Sequence, residues 1–245
     1  MVERYYDLCI RYLPEDDQAM ERFLSIATHF GFKGVGIAQV PNSKSPISYT
    51  DPRNSFFDLV HGVEIHEENP SKLHSQISHY AKKVDFVMVE GGTDKLNRSA
   101  VEAANVNILS LPFGIKDGGL DHVIARSAAD RGIAIEFDVG SLIRYRGGKR
   151  LHAVSELEQR LMLARKFDVH MVLTSGARSI YDIRGPRELI ALASLFGMTK
   201  EEAINAMTAI PAAILRTKRK THGFIMDGVE LIEEQVPPER QEEFC

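Results

Sequence analysis

Short, nearly unbroken apolar runs alternate with amphipathic segments along this chain, and that alternation limits its fold more than any other feature. Tyr5–Ile10, Gly34–Val40, Asp58–Ile65, Phe86–Val89, Val106–Leu111, Ile133–Val139 and Val169–Thr174 read as seven strands. Between them, apolar residues recur at helical spacing, as Met20, Phe23, Leu24, Ala27 and Phe30 do in the segment from Pro14 to Phe30. Helices are expected at residues 70–82, after Thr93, and at 120–131, 151–166, 186–196 and 199–207, with a break at Ile210–Pro211 before a last piece ending near Arg216. A loop rich in Pro, Ser and Asn, residues 41–54, follows the second strand. Strands buried on both faces read as continuous apolar runs, and their alternation with helices implies parallel pairing through right-handed crossovers.

That pattern leaves a barrel or a doubly wound sheet. The first glycine cluster, Gly31, Gly34 and Gly36, does not spell GxGxxG, and no strand–GxGxxG–helix occurs elsewhere, which argues against a dinucleotide fold. At 245 residues the chain suits one α/β barrel. The expected architecture is a TIM-like (β/α)7 barrel with irregular closure over residues 1–216, followed by a basic-then-acidic tail, 217–245, expected to be mobile.

Charge is unevenly placed. The chain carries −4 in total, but residues 227–245 hold seven acids and one base, so the rest is at +2. This permits local basic patches without a large basic excess. Cys9 and Cys245 form neither a disulfide framework nor a zinc motif, and no signal peptide or spanning segment is visible, so a cytosolic protein is expected.

In α/β barrels chemistry gathers where the strands end. Those positions hold Cys9 with Arg11, Gln39, Glu64, Glu90, Ser110, Glu136 with Asp138, and Ser175 with Arg178. Four carboxylates at one mouth suit a metal-dependent hydrolase, but only His66 among nine histidines stands at a strand exit, and no HxH, HxxxH or HExxH occurs. The acids are therefore expected to cap helices or to pair with Arg11 and Arg178 inside the mouth. The stretch from Asp85 to Val101 shows the repeating unit: a strand ending in Glu90, then Gly91–Gly92, Thr93 as helix cap, and Lys95 and Arg98 in the first turns. Glu90 should repel phosphate unless Arg11, Lys95 or Arg98 neutralises it.

The segments YDLCIRY, GVEI, VEGGTDKLNRSAVE, IAIEFDV, TSGARSIYDIRGP and EAINAMTAIPAAIL resemble protein component 3 of ribonuclease P, over about Tyr5 to Arg216. That family is in turn similar to metallo-barrels of the polymerase-and-histidinol-phosphatase type, whose first strand carries Asp-Leu-His-x-His and whose last carries Ser-Asp-Ala-His. Here the matching residues are Asp7-Leu8-Cys9-Ile10-Arg11 and Ser175-Gly176-Ala177-Arg178, so the histidines are replaced while Glu64 and Glu136 remain. Fixed guanidinium charge and a dication do not share a site cheaply.

The resemblance implies a protein subunit of the ribonucleoprotein endoribonuclease that removes 5′ leaders from pre-tRNA, with catalysis belonging to the RNA. The implied partners are ribonuclease P RNA, pre-tRNA, the component 2 protein and other protein subunits, with no membrane, cofactor or metal. Lys95, Arg98, Lys116, His122, Arg178 and Arg184 are the expected RNA contacts, with Arg144 and Arg146 weaker candidates. The competing expectation is a metal-dependent phosphoesterase using Asp7, Glu64, His66, Glu136 and Asp138.

Overall fold

The computed structural model describes residues 4–12, 14–41, 57–115, 118–226 and 229–230, with side chains as far as residue 217. Seven strands, β1 (Tyr5–Ile10), β2 (Phe32–Gln39), β3 (Asp58–His66), β4 (Phe86–Glu90), β5 (Ile108–Ser110), β6 (Ala134–Asp138) and β7 (Met171–Thr174), form one sheet in sequence order. Every neighbouring pair is parallel. The sheet curls into a nearly closed, TIM-like barrel, as the alternation implies. Among the described residues no ladder joins β7 to β1. The seam is instead closed by the Arg11 N–H donating to the Ala177 carbonyl at 2.8 Å, and by the Asp7 carboxylate, which accepts the Ser175 N–H at 3.1 Å.

Helices α1 (Asp17–His29), α2 (Pro70–Tyr80), α3 (Asp94–Glu102) and α4 (His122–Arg131) cover the sheet from outside. Each starts on a short polar side chain that accepts a first-turn N–H: Asp16, Asn69, Thr93 and Asp121 in turn. Past β6 the chain is more helical than the sequence suggests. Ahead of the helix expected at 151–166, the segment carrying Arg144, Arg146, Lys149 and Arg150 forms α5 (Gly140–Arg144) and the first turn of α6 (Gly147–Phe167). The two glycines at 147–148 mimic a loop signal, yet Gly147 only supplies the bend, at φ +53°.

Helices α7 (Pro186–Ala193), α8 (Lys200–Met207) and α9 (Ala209–Gly223) follow, with a short 3-10 turn at Ser194–Phe196. A capping box of Thr199 and Glu202 opens α8, at the start expected for it. The break falls at Thr208, whose φ and ψ are −124° and −76°, and Pro211 then sits in the first turn of α9, where no N–H is needed. Helix α9 continues past Arg216 to a small antiparallel pair, β8 (Phe224–Met226) and β9 (Val229–Glu230). Beyond Thr217 the side chains of the expected mobile tail lie outside the described residues.

Two apolar clusters result. A large one fills the space between sheet and helices, and a smaller one fills the barrel itself: Tyr6, Leu8, Cys9, Ala38, Val60, Phe86, Met88, Ile108, Ala134 and Val172, against which α9 lays Ile214 and Leu215. Gly34 and Gly36 lie in β2, as the strand expected at Gly34–Val40 places them. A Cβ on Gly62 would come within 2.0 Å of the Phe86 ring, and one on Gly36 within 2.9 Å, so these glycines make room for that side chain. In β1, the steps from Asp7 to Ile10 span only Val35 to Ile37 in β2. This bulge lets Leu8 and Cys9 both join the inner cluster while Ile10 packs outside. Arg11 follows, with its guanidinium in the barrel mouth.

Candidate functional site

Inward-facing columns of the strands change character along their length. Val60 and Gly62 are followed by Glu64 and His66; Phe86 and Met88 by Glu90; Ile108 by Ser110; Ala134 by Glu136 and Asp138; Val172 by Thr174. Where the strands end, these polar residues meet around Arg11. The Arg11 Nε donates to both Glu64 oxygens at 3.1 and 2.9 Å, and Nη2 donates to Glu64 Oε1 at 2.6 Å and to Glu136 Oε2 at 3.1 Å. Thr174 supplies Glu136 with a further hydrogen bond of 2.7 Å.

Both carboxylates are almost completely buried, at 0% and 1% exposed, so their pairing with one guanidinium is a structural requirement. Burial acts to raise the Glu64 carboxyl, but hydrogen bonds from His66 and Arg11 outweigh it and hold it at about 2. Burial opposes the charge of Arg11, yet Glu136 and Glu64 more than compensate and push its pKa up.

The expectation that Arg11 pairs with these acids holds. Its extension to Arg178 does not: Arg178 is exposed at the lip, and its guanidinium makes no ion pair among the described residues. Arg144 takes the second place instead. From α5 it reaches back to Asp138 Oδ2 at 2.9 Å and to the Gly176 carbonyl at 3.0 Å. Burial pushes the Asp138 carboxyl up, with Glu136 adding to it and Arg144 and Arg11 opposing. Glu90 is likewise not neutralised by Arg11, Lys95 or Arg98; His66 lies 3.2 Å from it and 3.5 Å from Glu64. Its hydrogen bond to Glu64, opposed by burial and helped by the charge of Glu90, raises the His66 pKa.

Glu64, His66 and Glu90 place one donor atom each within 4.8 Å of one another, the nearest approach to a metal-ligand set among the described residues. It does not fit a dication, because both Glu64 oxygens already face the Arg11 guanidinium. The mouth above is a cavity of about 710 Å³, bordered by Arg11, Arg144, Arg178, Tyr12, Phe113 and Tyr145 among others.

Of the other expected RNA contacts, Lys95 and Arg98 lie on the exposed face of α3, and His122 opens α4. The Arg98 guanidinium is 3.4 Å from Asp121, which brings the two helix starts together. Arg184 donates to its own loop, to the carbonyls of Tyr181 at 2.8 Å and Ile183 at 2.7 Å. Lys116 lies outside the described residues. Asn97, fully buried, accepts the Gly92 N–H at 2.8 Å and donates to the Gly118 carbonyl at 3.0 Å. Gly91, Gly92 and Asn97 thus tie the β4–α3 loop to the β5–α4 loop, a structural role. The sequence pointed to them only as a glycine loop beside two cations, and it carried no signal for Arg144 or Thr174 as partners of the acids.

A family model described as RNase P subunit p30 matches residues 4–222. The chain belongs to the RNase P subunit p30 family. Among its relatives in that family, ribonuclease P protein component 3 of Methanococcoides burtonii is 45% identical over 95% of this chain and 96% of that protein. Its counterpart in Methanosarcina barkeri is 36% identical over 94% and 97%. A chain in the cryo-EM structure of archaeal ribonuclease P with mature tRNA superposes with a TM-score of 0.78 at 27% identity, over 95% of this chain and all of that one. An amidohydrolase crystal structure, at 9% identity and a TM-score of 0.61 over 89% of this chain and 75% of that one, shares the fold. Membership of the p30 family makes the chain a ribonuclease P protein subunit rather than a phosphoesterase. Among the described residues no helix of this p30 chain is long and apolar enough to cross a membrane.

Proposed function

We propose that this p30-family subunit supports ribonuclease P without chemistry of its own, touching the catalytic RNA and pre-tRNA with basic groups on its rim. Component 2 and other protein subunits are its protein partners, and the endoribonuclease activity belongs to the assembled, cytoplasmic particle. The observation that carries this reading is Arg11, an always-protonated guanidinium bound to Glu64 and Glu136 at the centre of the mouth. It sits where a hydrolase of this plan would concentrate its cation, and the acids around it repel phosphate from the interior. The candidate phosphate contacts are Lys95, Arg98, Lys116, His122, Arg178 and Arg184, of which Lys95, Arg98 and His122 lie in the first turns of α3 and α4, and Arg178 and Arg184 between β7 and α7. Residues 1–226 carry only +2, so the isolated chain is expected to bind RNA weakly.

Reconstitution of pre-tRNA cleavage with and without the chain tests this directly, and omission should slow cleavage. The isolated chain, given Mn²⁺ or Zn²⁺ and a generic phosphodiester, should show no turnover. Metal-dependent turnover abolished by Glu64→Ala would overturn the reading. Arg98→Ala should lower the salt slope of RNA binding by about 1.

A further inference from the structure

The cations on the rim differ sharply in what surrounds them. On the α3–α4 side, Arg98 faces Asp121, and the groove holding Lys95 and Arg98 is also lined by Asp94 and Glu102. Charge there is close to balanced. Between α5 and α6 it is not. From Val139 to Ser155 the sequence contains Arg144, Arg146, Lys149 and Arg150 and no acid. Arg144 turns inward to Asp138, while the other three point elsewhere and make no ion pair among the described residues.

Two of these three are nevertheless held in place. Arg146 donates to the Ile143 carbonyl at 3.2 Å, and Arg150 to the Tyr145 carbonyl at 3.0 Å. A guanidinium has five N–H donors, so each keeps most of them free while its position is fixed by backbone. Lys149 stands exposed between them. The Arg144 contact with Gly176 joins this elbow to the β7–α7 loop, so Arg178, the unpaired cation at the lip, continues the same surface. Tyr145, edge-on to Phe113 at 6.2 Å, borders the mouth beside it. The patch ends where Glu156 meets His152 at 2.9 Å and Arg160 at 3.4 Å.

We infer that the elbow of Arg146, Lys149 and Arg150, continued by Arg178, is a contact surface for the phosphodiester backbone of RNA. This rests on the proposed role in ribonuclease P and assigns its principal phosphate contacts to a surface other than the α3–α4 rim. Unneutralised, backbone-anchored cations bind phosphate without first breaking an ion pair, whereas Arg98 must give up Asp121.

The test measures binding of ribonuclease P RNA by the full chain with its partner protein subunits, over a range of salt concentrations. The triple variant Arg146→Gln/Lys149→Gln/Arg150→Gln should flatten the slope of log K against log salt by about 2 to 3, at roughly 0.7–0.9 per lost contact. The pair Lys95→Gln/Arg98→Gln should change it by less. Arg146→Lys/Arg150→Lys, which keeps the charge, should retain the wild-type slope. The inference is overturned if the triple variant keeps the wild-type slope, or if the Lys variants lose as much as the Gln variants, which would mark a structural role. A drop confined to the α3–α4 pair overturns this surface but leaves RNA contact intact. Wild-type protein with no salt-dependent RNA binding overturns the underlying reading itself.

Discussion

The lower and upper halves of the barrel interior are made from the same strands with the same two-residue period, yet different forces hold them. In the lower half, Phe86 fits because Gly36 and Gly62 lack side chains, and the constraint is volume. In the upper half, Arg11 fits because Glu64 and Glu136 need its charge, and the constraint is neutrality. One scaffold can therefore carry unrelated sites: the packing below fixes where strand ends lie, and the residues placed on them decide what the mouth does.

The largest expected effect tests that division at its centre. Arg11→Met strands two buried carboxylates, and unfolding in urea at neutral pH should show a loss of about 3–5 kcal/mol. The deficit should shrink in acid as the acids protonate. A neutral outcome would mean the mouth does not depend on charge pairing.

Asp7 comes next. Burial pushes its carboxyl up to about 6, against hydrogen bonds from Ser175 and Cys9 that lower it. The folded state holds this proton more tightly than the unfolded chain. The resulting stabilisation is complete below the unfolded value of 3.8 and is lost as pH rises through about 6, amounting to about 3 kcal/mol. In Asp7→Asn that loss between about pH 4 and 6 should vanish, on a lower baseline because one N–H at the seam loses its acceptor. An unchanged profile would remove Asp7 from the account.

Gly62→Ala probes the lower half. Forcing a methyl against the Phe86 ring should destabilise by about 1–3 kcal/mol, independently of pH and salt, and Phe86→Leu should recover part of it. Smallest is Arg165→Ala. Arg165 meets Glu202 with two bonds of 2.7 Å, geometry as good as that of Arg11, but on the surface. A loss under about 1 kcal/mol would show that burial, more than geometry, makes the mouth sensitive.

Much of this was legible in the sequence because strand cores and strand ends follow simple rules. Continuous apolar runs gave the parallel barrel, and an arginine placed beside surviving acids gave the Arg11 pairing. What escaped depends on residues distant in sequence. Nothing near Gly62 or Gly36 announces that Phe86 will occupy the space beside them. Arg144 was hidden because α5, only five residues long, turns the chain back on Asp138. The bulge in β1 is equally invisible, since it is a relation between two strands.

The seating of α9 has a consequence for the order in which the molecule is made. Tyr6 and Leu8 share their cluster with Ile214 and Leu215, which are synthesised some two hundred residues after them. A ribosome releases the chain from its amino end, so β1 waits for α9 to be made before the interior they share is sealed. A nascent chain ending before Ala209 would hold the seven barrel strands yet leave that cluster open, so its sealing depends on the arrival of α9.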